Sequence, residues 1–433
     1  MVHPERYGRR VNTVVRALLA GGLGLTLVGC SVLGEKSDAA PPSGQADVPV
    51  RVPAGTDTAP FDQAREMRVP AGWSAGVWAR VPNARLLAWT PDRRLLVSRP
   101  KIGDVVELTP GAGDAVPRQR TLVGGLNQPH GLAFHGNTLY VAESDQVDSF
   151  RYEGGALSER KVVIDGLPDE KSPELGGAYA HALKSVAIGP DGTIYVSVGS
   201  TGNVSAADRD ASPERATILK APAGGGTPTV FARGVRNGTG LAIAPDGAVW
   251  TAVNNRDNIA DPADGKVKRG YVNTHPLEPL AKLTQGRDLG WPYCNPNLDR
   301  GWDRDYQMNR NGTELDCSKL PPIEQGLGAH SAPLGLSFAK LPGSYGEGAL
   351  VGVHGSWNRN PPQAPEVSFF AWRAGALGPQ QTLLGGFQDA DGRRWGRPVM
   401  AVQGPDQALY VSDDLAGAIY RVTGPQEIAT SSK

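Results

Sequence analysis

Four histidines stand at comparable places in a pattern that recurs along the chain. His130 directly precedes Gly131-Leu-Ala-Phe134, and His181 comes shortly before Ser185-Val-Ala-Ile188. His330 comes shortly before Leu334-Gly-Leu336, and His354 follows the apolar run that ends at Val353. Elsewhere the corresponding place holds Arg236-Asn237, ahead of Gly240-Leu-Ala-Ile243, and Arg397, ahead of Val399-Met-Ala-Val402; Lys184, Arg256 and Arg359 are further cations near these positions. A neutral imidazole accepts a proton near neutral pH, and guanidinium groups hold planar carboxylates by paired hydrogen bonds. Together the set suits a polyanionic ligand and a proton-transfer step. Any one of these histidines alone would more simply line a channel wall or bond a neighbouring loop, and it is their recurrence that argues for a shared site. The remaining histidines fall outside the pattern: His3 in the N-terminal leader, His135 in a turn expected at the surface, and His275 in an insertion expected to be solvated.

The elements that must position them are visible in the repeat itself. Its clearest copies are Ser185-Val-Ala-Ile-Gly-Pro-Asp-Gly192 and Gly240-Leu-Ala-Ile-Ala-Pro-Asp-Gly247, each followed by a β-branched or aromatic run. Looser copies begin at Leu86, Gly131, Gly335 and Val399, making six. In each copy a short apolar strand runs into a turn. Pro sets φ, Asp bonds its own backbone, and Gly accepts positive φ. A second, alternating strand then returns. Residues 104–108 and 418–422 read as third strands, and no long amphipathic helix interrupts the series. Radially arranged four-stranded units make a β-propeller, so the expected fold is all-β, a six-bladed β-propeller with a central funnel over residues 66–425. An irregular β-sandwich is the competing architecture, disfavoured because the copies share sequence as well as pattern.

Lys+Arg and Asp+Glu balance at 44 each, which leaves no electrostatic footprint for nucleic acid. Arg9, Arg10 and Arg16 precede an apolar run at 17–28 that ends in Leu27-Val-Gly-Cys30. Positive flank, short apolar core and small residues before Cys are the marks of a bacterial lipoprotein signal, with Cys30 lipidated; an ordinary signal peptide or a signal anchor is the alternative. Residues 1–30 are thus expected to be a signal and 31–65, rich in Pro, Ala, Ser, Gly and Asp, a flexible tether. Residues 426–433 are expected to form a disordered tail. The chain would be exported and lipid-anchored on the outer side of a bacterial cell membrane. In that compartment Cys294 and Cys317 favour a disulfide clipping a polar insertion. Metal binding is the competing use, and two cysteines without a nearby histidine make a poor zinc set.

Several ordered motifs carry a resemblance. His181-Ala-Leu-Lys-Ser-Val-Ala-Ile-Gly-Pro-Asp191 resembles the catalytic-histidine segment of soluble quinoprotein glucose dehydrogenases, Val235-Arg-Asn-Gly-Thr-Gly-Leu-Ala242 resembles their quinone-binding segment, and Leu289-Gly-Trp-Pro292 a motif that follows it. Gln128-Pro-His-Gly-Leu132, His330-Ser-Ala-Pro-Leu-Gly335 and His354-Gly-Ser-Trp-Asn-Arg359 are more similar to the sorbosone dehydrogenase branch of the glucose/sorbosone dehydrogenase family. The resemblance implies pyrroloquinoline quinone (PQQ) in the funnel with a Ca²⁺ ion on the quinone. It implies His181 as the base that takes the hydroxyl proton while hydride passes to the quinone. Arg236, Asn237 and Arg397 would contact PQQ, with His130, His330 and His354 around it, and the backbone carbonyls of Asn255 and Arg256 would bind Ca²⁺.

Three departures stand out. Lys184-Ser185 replaces a Gly-Arg pair, Asn254-Asn255-Arg256 replaces a Gln-Gly-Pro metal loop, and the family's PQQ-clamping lysine aligns near Gly355, so that Arg359 or Lys184 would substitute. The implied activity is PQQ-dependent oxidation of an aldose or sugar aldehyde of the sorbosone kind. A membrane quinone or a small carrier protein would take the electrons. Two other readings are a non-catalytic propeller lipoprotein binding a ligand or the cell wall, and a metal-dependent lactonase. The last would need acidic ligands, for which only Glu143, Asp413 and Asp414 lie near inner strand ends.

Overall fold

Each repeat forms the inner hairpin of one blade. In a computed structural model describing residues 44–113 and 115–425, the inner strands are Leu87–Trp89, Gly131–His135, Val186–Ile188, Gly240–Ile243, Pro333–Leu341 and Pro398–Gln403. Every one pairs antiparallel with the strand that follows it. Third strands include Asp104–Thr109 and Ala418–Thr423, as the sequence predicts. The sheets number six blades, so the fold is a six-bladed β-propeller. Blade six takes its outermost strand from the N-terminal side: Ser74–Arg80 pairs with Ala418–Thr423 and closes the ring.

The turns follow their chemistry. Asp191 and Asp246 each accept a backbone N–H two residues on, at 3.0 Å, and Gly192 and Gly247 have φ of 84° and 82°. Where the repeat lacks the glycine, Arg93 and Gln407 take the same left-handed conformation, φ 65° and 66°. A glycine at the start of an inner strand serves a different purpose. A Cβ on Gly131 would lie 2.5 Å from Val186 N, and one on Gly335 2.7 Å from Val399 O. Inner strands of adjacent blades therefore approach backbone to backbone. Outside that contact the blades bury apolar layers between them, as where Trp78, Leu95, Val106 and Tyr410 pack between blades six and one.

Order begins earlier than the tether predicted for residues 31–65. Gln45–Pro49 pairs with Glu66–Pro70, and Phe61 packs edge-on against Trp395 and Tyr420. Apolar residues at 46, 48 and 50 alternate with polar ones, a strand signal that the Pro- and Ala-rich composition hides. Two insertions, 253–277 in blade four and 354–365 in blade five, rise from the same end of the ring. No helix among the described residues is long and apolar enough to cross a membrane. The signal expected over 1–30, Cys30 and the tail at 426–433 lie outside the described residues.

Candidate active site

A hairpin returns to the end where it began. The residues before each first strand and after each second strand therefore meet at one end of the propeller, while the Pro-Asp-Gly turns lie at the other. The site is built at the first end. His181 lies before the inner strand of blade three, and Ser200 follows that blade's second strand, Ile194–Val198. His181 Nδ1 is 3.0 Å from the Ser200 carbonyl and 2.9 Å from Ser200 Oγ, which itself donates to the Gly202 carbonyl at 2.7 Å. A carbonyl only accepts, so the proton is on Nδ1 and Nε2 is left as a bare acceptor. Burial, and after it the charge of Arg236, push the imidazole down to about 3, so it is neutral at ordinary pH. Gly199 makes this approach possible, since a Cβ there would lie 2.5 Å from His181 Cβ and 3.2 Å from Asn237 Oδ1.

Arg236 is buried and fully braced. Its Nε donates to Asn203 O (3.1 Å), Nη1 to Asn254 O (3.1 Å) and Nη2 to Asn203 Oδ1 (3.2 Å). Asn203 Oδ1 also accepts from Asp257 N at 2.7 Å, and Trp291 Nε1 donates to Asn203 O at 3.2 Å. Burial lowers Arg236 to about 10, still charged. Across from it, Asp257 Oδ1 lies 3.3 Å from His330 Nδ1 and accepts from Asn358 Nδ2 at 3.4 Å. Burial opposes ionisation of Asp257, but His330, Arg236 and Asn358 hold its carboxyl below the usual range. His330 donates from Nε2 to Val272 O at 2.9 Å.

The loop after the second strand of blade four carries Asn255 and Arg256. Asn255 N donates to buried Glu278, which burial raises to about 7. The Arg256 side chain turns away from the axis into a buried pair with Asp305, which also accepts from Asn295 Nδ2 at 2.9 Å. Asn295 and Asp305 belong to the insertion closed by the Cys294–Cys317 disulfide. Among the described residues the Asn255 and Arg256 carbonyls accept no hydrogen bond, and no group of three or more His, Cys, Asp or Glu side chains is arranged for a metal.

Blades five, six, one and two complete the ring. Asp414 receives Arg397 Nε and Arg85 Nη1, each at 2.8 Å, and stands 3.5 Å from His354 Nε2. Burial works against its ionisation, yet Arg85 and Arg397 keep Asp414 below the usual carboxylate range. Burial drives His130 and His354 well below the ordinary imidazole value. His130 Nδ1 faces the Lys184 carbonyl at 3.2 Å. One carboxylate thus answers two guanidinium groups. His130 Nε2, His354 Nε2 and Arg85 Nε are buried without a hydrogen-bond partner, and neither Nη of Arg397 is bonded among the described residues.

Two expected cations are elsewhere. Lys184 is buried inside blade three, where Nζ donates to Pro168 O (2.8 Å) and Ala182 O (2.6 Å) and lies 4.7 Å from the centre of the Tyr179 ring. It braces the loop that carries His181 and cannot clamp a ligand in the funnel. Arg359 bonds Gln363 and lines an outer groove rather than the axis. Asp413 is consumed by its turn, accepting from Leu415 N, Ala416 N, Arg397 N and the Tyr420 hydroxyl, and Glu143 by Asn127 N and Arg160. Neither is free to ligate a hydrolytic metal. Ser200, Asn203, Asp257 and Arg85 were not legible as site residues. They come from second-strand exits or, for Arg85, from the residue just ahead of the first copy, and only the return of each hairpin to its starting end could have signalled them. A cavity of about 560 Å³ lies among the far turns around Asp406 and Lys340, away from this chemistry.

A propeller carrying this ring defines the class, and the TrAA12-like family model matches residues 67–425. The chain belongs to that family. Its curated relatives include a pyrroloquinoline quinone-dependent pyranose dehydrogenase of Coprinopsis cinerea, 23% identical over 377 residues. That match covers 72% of this chain and 49% of the relative, so the chain spans about half that protein's length. Among solved structures, the holo PQQ domain of the Coprinopsis cinerea pyranose dehydrogenase aligns with a TM-score of 0.70 at 20% identity, covering 83% of this chain and 97% of that one. A calcium structure of a Trichoderma reesei family AA12 enzyme aligns with a TM-score of 0.71 at 19% identity, covering 82% and 96%. These likenesses establish the fold.

Proposed function

We propose that the protein is a quinoprotein dehydrogenase that binds PQQ at the funnel and oxidises a sugar, either an aldose or a sugar aldehyde of the sorbosone kind. The observation that carries the reading is His181: a half-buried, neutral imidazole with its Nδ1 proton locked on Ser200 and a bare Nε2, beside a braced guanidinium. That is the arrangement of a general base. The surroundings fit a planar tricarboxylate. The open Arg397 fork suits a carboxylate, Arg236 adds fixed charge, and the unpartnered His130, His354 and Arg85 atoms are groups a polar ligand would satisfy. The unbonded Asn255 and Arg256 carbonyls are hard-oxygen donors of the kind Ca²⁺ takes. Relatives named for PQQ and a calcium-bound structural neighbour support the same reading.

When bound, the quinone supplies a two-electron acceptor. The chain does the rest. His181 Nε2 takes the proton of the sugar hydroxyl as its carbon is oxidised, and the Ser200 carbonyl steadies the resulting imidazolium through Nδ1. Burial, with the charge of Arg236 second, keeps the base neutral beforehand. Export with lipid attachment at Cys30, and a membrane quinone or small carrier as electron acceptor, belong to the same proposal and rest on the sequence.

The test is reconstitution. The purified chain, given PQQ and Ca²⁺, should reduce a dye with at least one member of a panel of aldoses and sorbosone. His181→Ala should lower kcat by about 100-fold or more while PQQ still binds, the range expected for loss of a general base. Failure to bind PQQ at micromolar concentration would refute the cofactor. Equal loss of binding and turnover in His181→Ala would refute the base.

A further inference from the structure

Beside the ring lies a groove that the chemistry above does not use. The insertions at 253–277 and 354–365 form its walls, and its volume is about 390 Å³. That falls within the roughly 300–1,000 Å³ of small-molecule sites. Trp357 stands in it 74% exposed. Around the indole are the amides of Asn258, Asn358 and Asn360. Asn258 and Asn360 make no side-chain hydrogen bond among the described residues. The walls are fastened together: Asn273 Nδ2 donates to Asn360 O at 2.6 Å, and Asn360 N donates back to Asn273 Oδ1 at 2.9 Å. The groove is therefore preformed.

It also shares a wall with the ring. Asn358 Nδ2 bonds Asp257, the carboxylate whose charge acts on both His181 and Arg236. A ligand reaching from the funnel past Asp257 would meet Asn358 and then Trp357.

We propose that this groove is a subsite for a second sugar unit, so that the substrate is the terminal residue of an oligosaccharide. The inference rests on the reading of the ring as a sugar-oxidising site. An exposed indole face offers a flat apolar surface to the C–H face of a pyranose, while its N–H remains for a hydroxyl. Carboxamides carry both donors and acceptors, which vicinal hydroxyls require, and Arg269 and Arg359, which also line the groove, add further donors. A protein partner would want a continuous apolar patch. Among the described residues, Val267 is the only other exposed large apolar side chain lining the groove.

The experiment is calorimetric titration of the full chain, without cofactor, with cellotetraose, maltotetraose, xylotetraose and chitotetraose, each against its monosaccharide. At least one tetrasaccharide should bind about tenfold tighter than its monomer, a difference of roughly 1.4 kcal/mol. Trp357→Ala should abolish the difference and Trp357→Phe should keep most of it. With the loaded enzyme, Trp357→Ala should lower the ratio of kcat/KM for the tetrasaccharide to that for the monosaccharide by a similar factor. No tetrasaccharide preference, or a preference indifferent to Trp357→Ala, overturns the subsite. So does an effect of Trp357→Ala confined to the KM of the electron acceptor, which would place a redox partner there. Binding is read without PQQ, so failure of the cofactor reading leaves this test intact, and the His181 assay does not depend on Trp357.

Discussion

His181 differs from the other histidines of the ring in what its two nitrogens do. Nδ1 is committed to Ser200 and Nε2 is free. Burial and Arg236 place its protonation near 3. In the protein without ligand, the ring carbons of ¹³C-labelled histidine should therefore show His181 neutral at pH 5, with His181→Asn identifying the signal. A midpoint near 6.5 would contradict the burial argument. The sign for stability follows. The unfolded chain takes up a proton below about 6.5 and the folded site does not until about 3, so His181 contributes stability above 6.5 that is lost as pH falls, by up to ~1.4 kcal/mol per pH unit. Glu278 and Asp413 act the other way, because burial raises them to about 7 and about 6. His181 and Arg236 were legible because they sit at the repeat's own position. Ser200 and Asp257 were not, because nothing in their local sequence distinguishes them from loop residues.

At the scale of the element, the repeat is a packing device as much as a hairpin. Gly131 has no positive φ, so its need for hydrogen is steric: a Cβ would press on the backbone of Ser185 and Val186 in the next blade. Gly131→Ala should lower stability by ~1–3 kcal/mol, the usual range for overpacking, visible as a fall in Tm. An unchanged Tm would mean that the inner strands are not held at this spacing. Strands, turns and blade count were all legible, since period-two alternation and Pro-Asp-Gly chemistry are local. The course of the insertions was not. Their course is set by long-range pairs such as Arg256 with Asp305 and Asn273 with Asn360, which no periodicity announces. Lys184 shows the same limit. It adjoins the site in sequence, yet its ammonium is drawn into the blade by two carbonyls and a ring.

The whole molecule depends on one closure. Ser74–Arg80 supplies the outer strand of blade six, more than 330 residues from its partner in sequence. A chain beginning after Arg80 should lose cooperative thermal unfolding, while one beginning at residue 44 should keep it; calorimetry of the two would decide. By itself the sequence determined the class of fold, the number of blades and the position in each blade where chemistry concentrates, because these follow from turn propensity, alternation and repetition. Tertiary structure alone decided which cations face the axis, which nitrogen of His181 carries the proton, and that a groove with an exposed tryptophan opens beside the ring. Each of those depends on burial and on partners brought in from other blades, and a linear pattern contains neither.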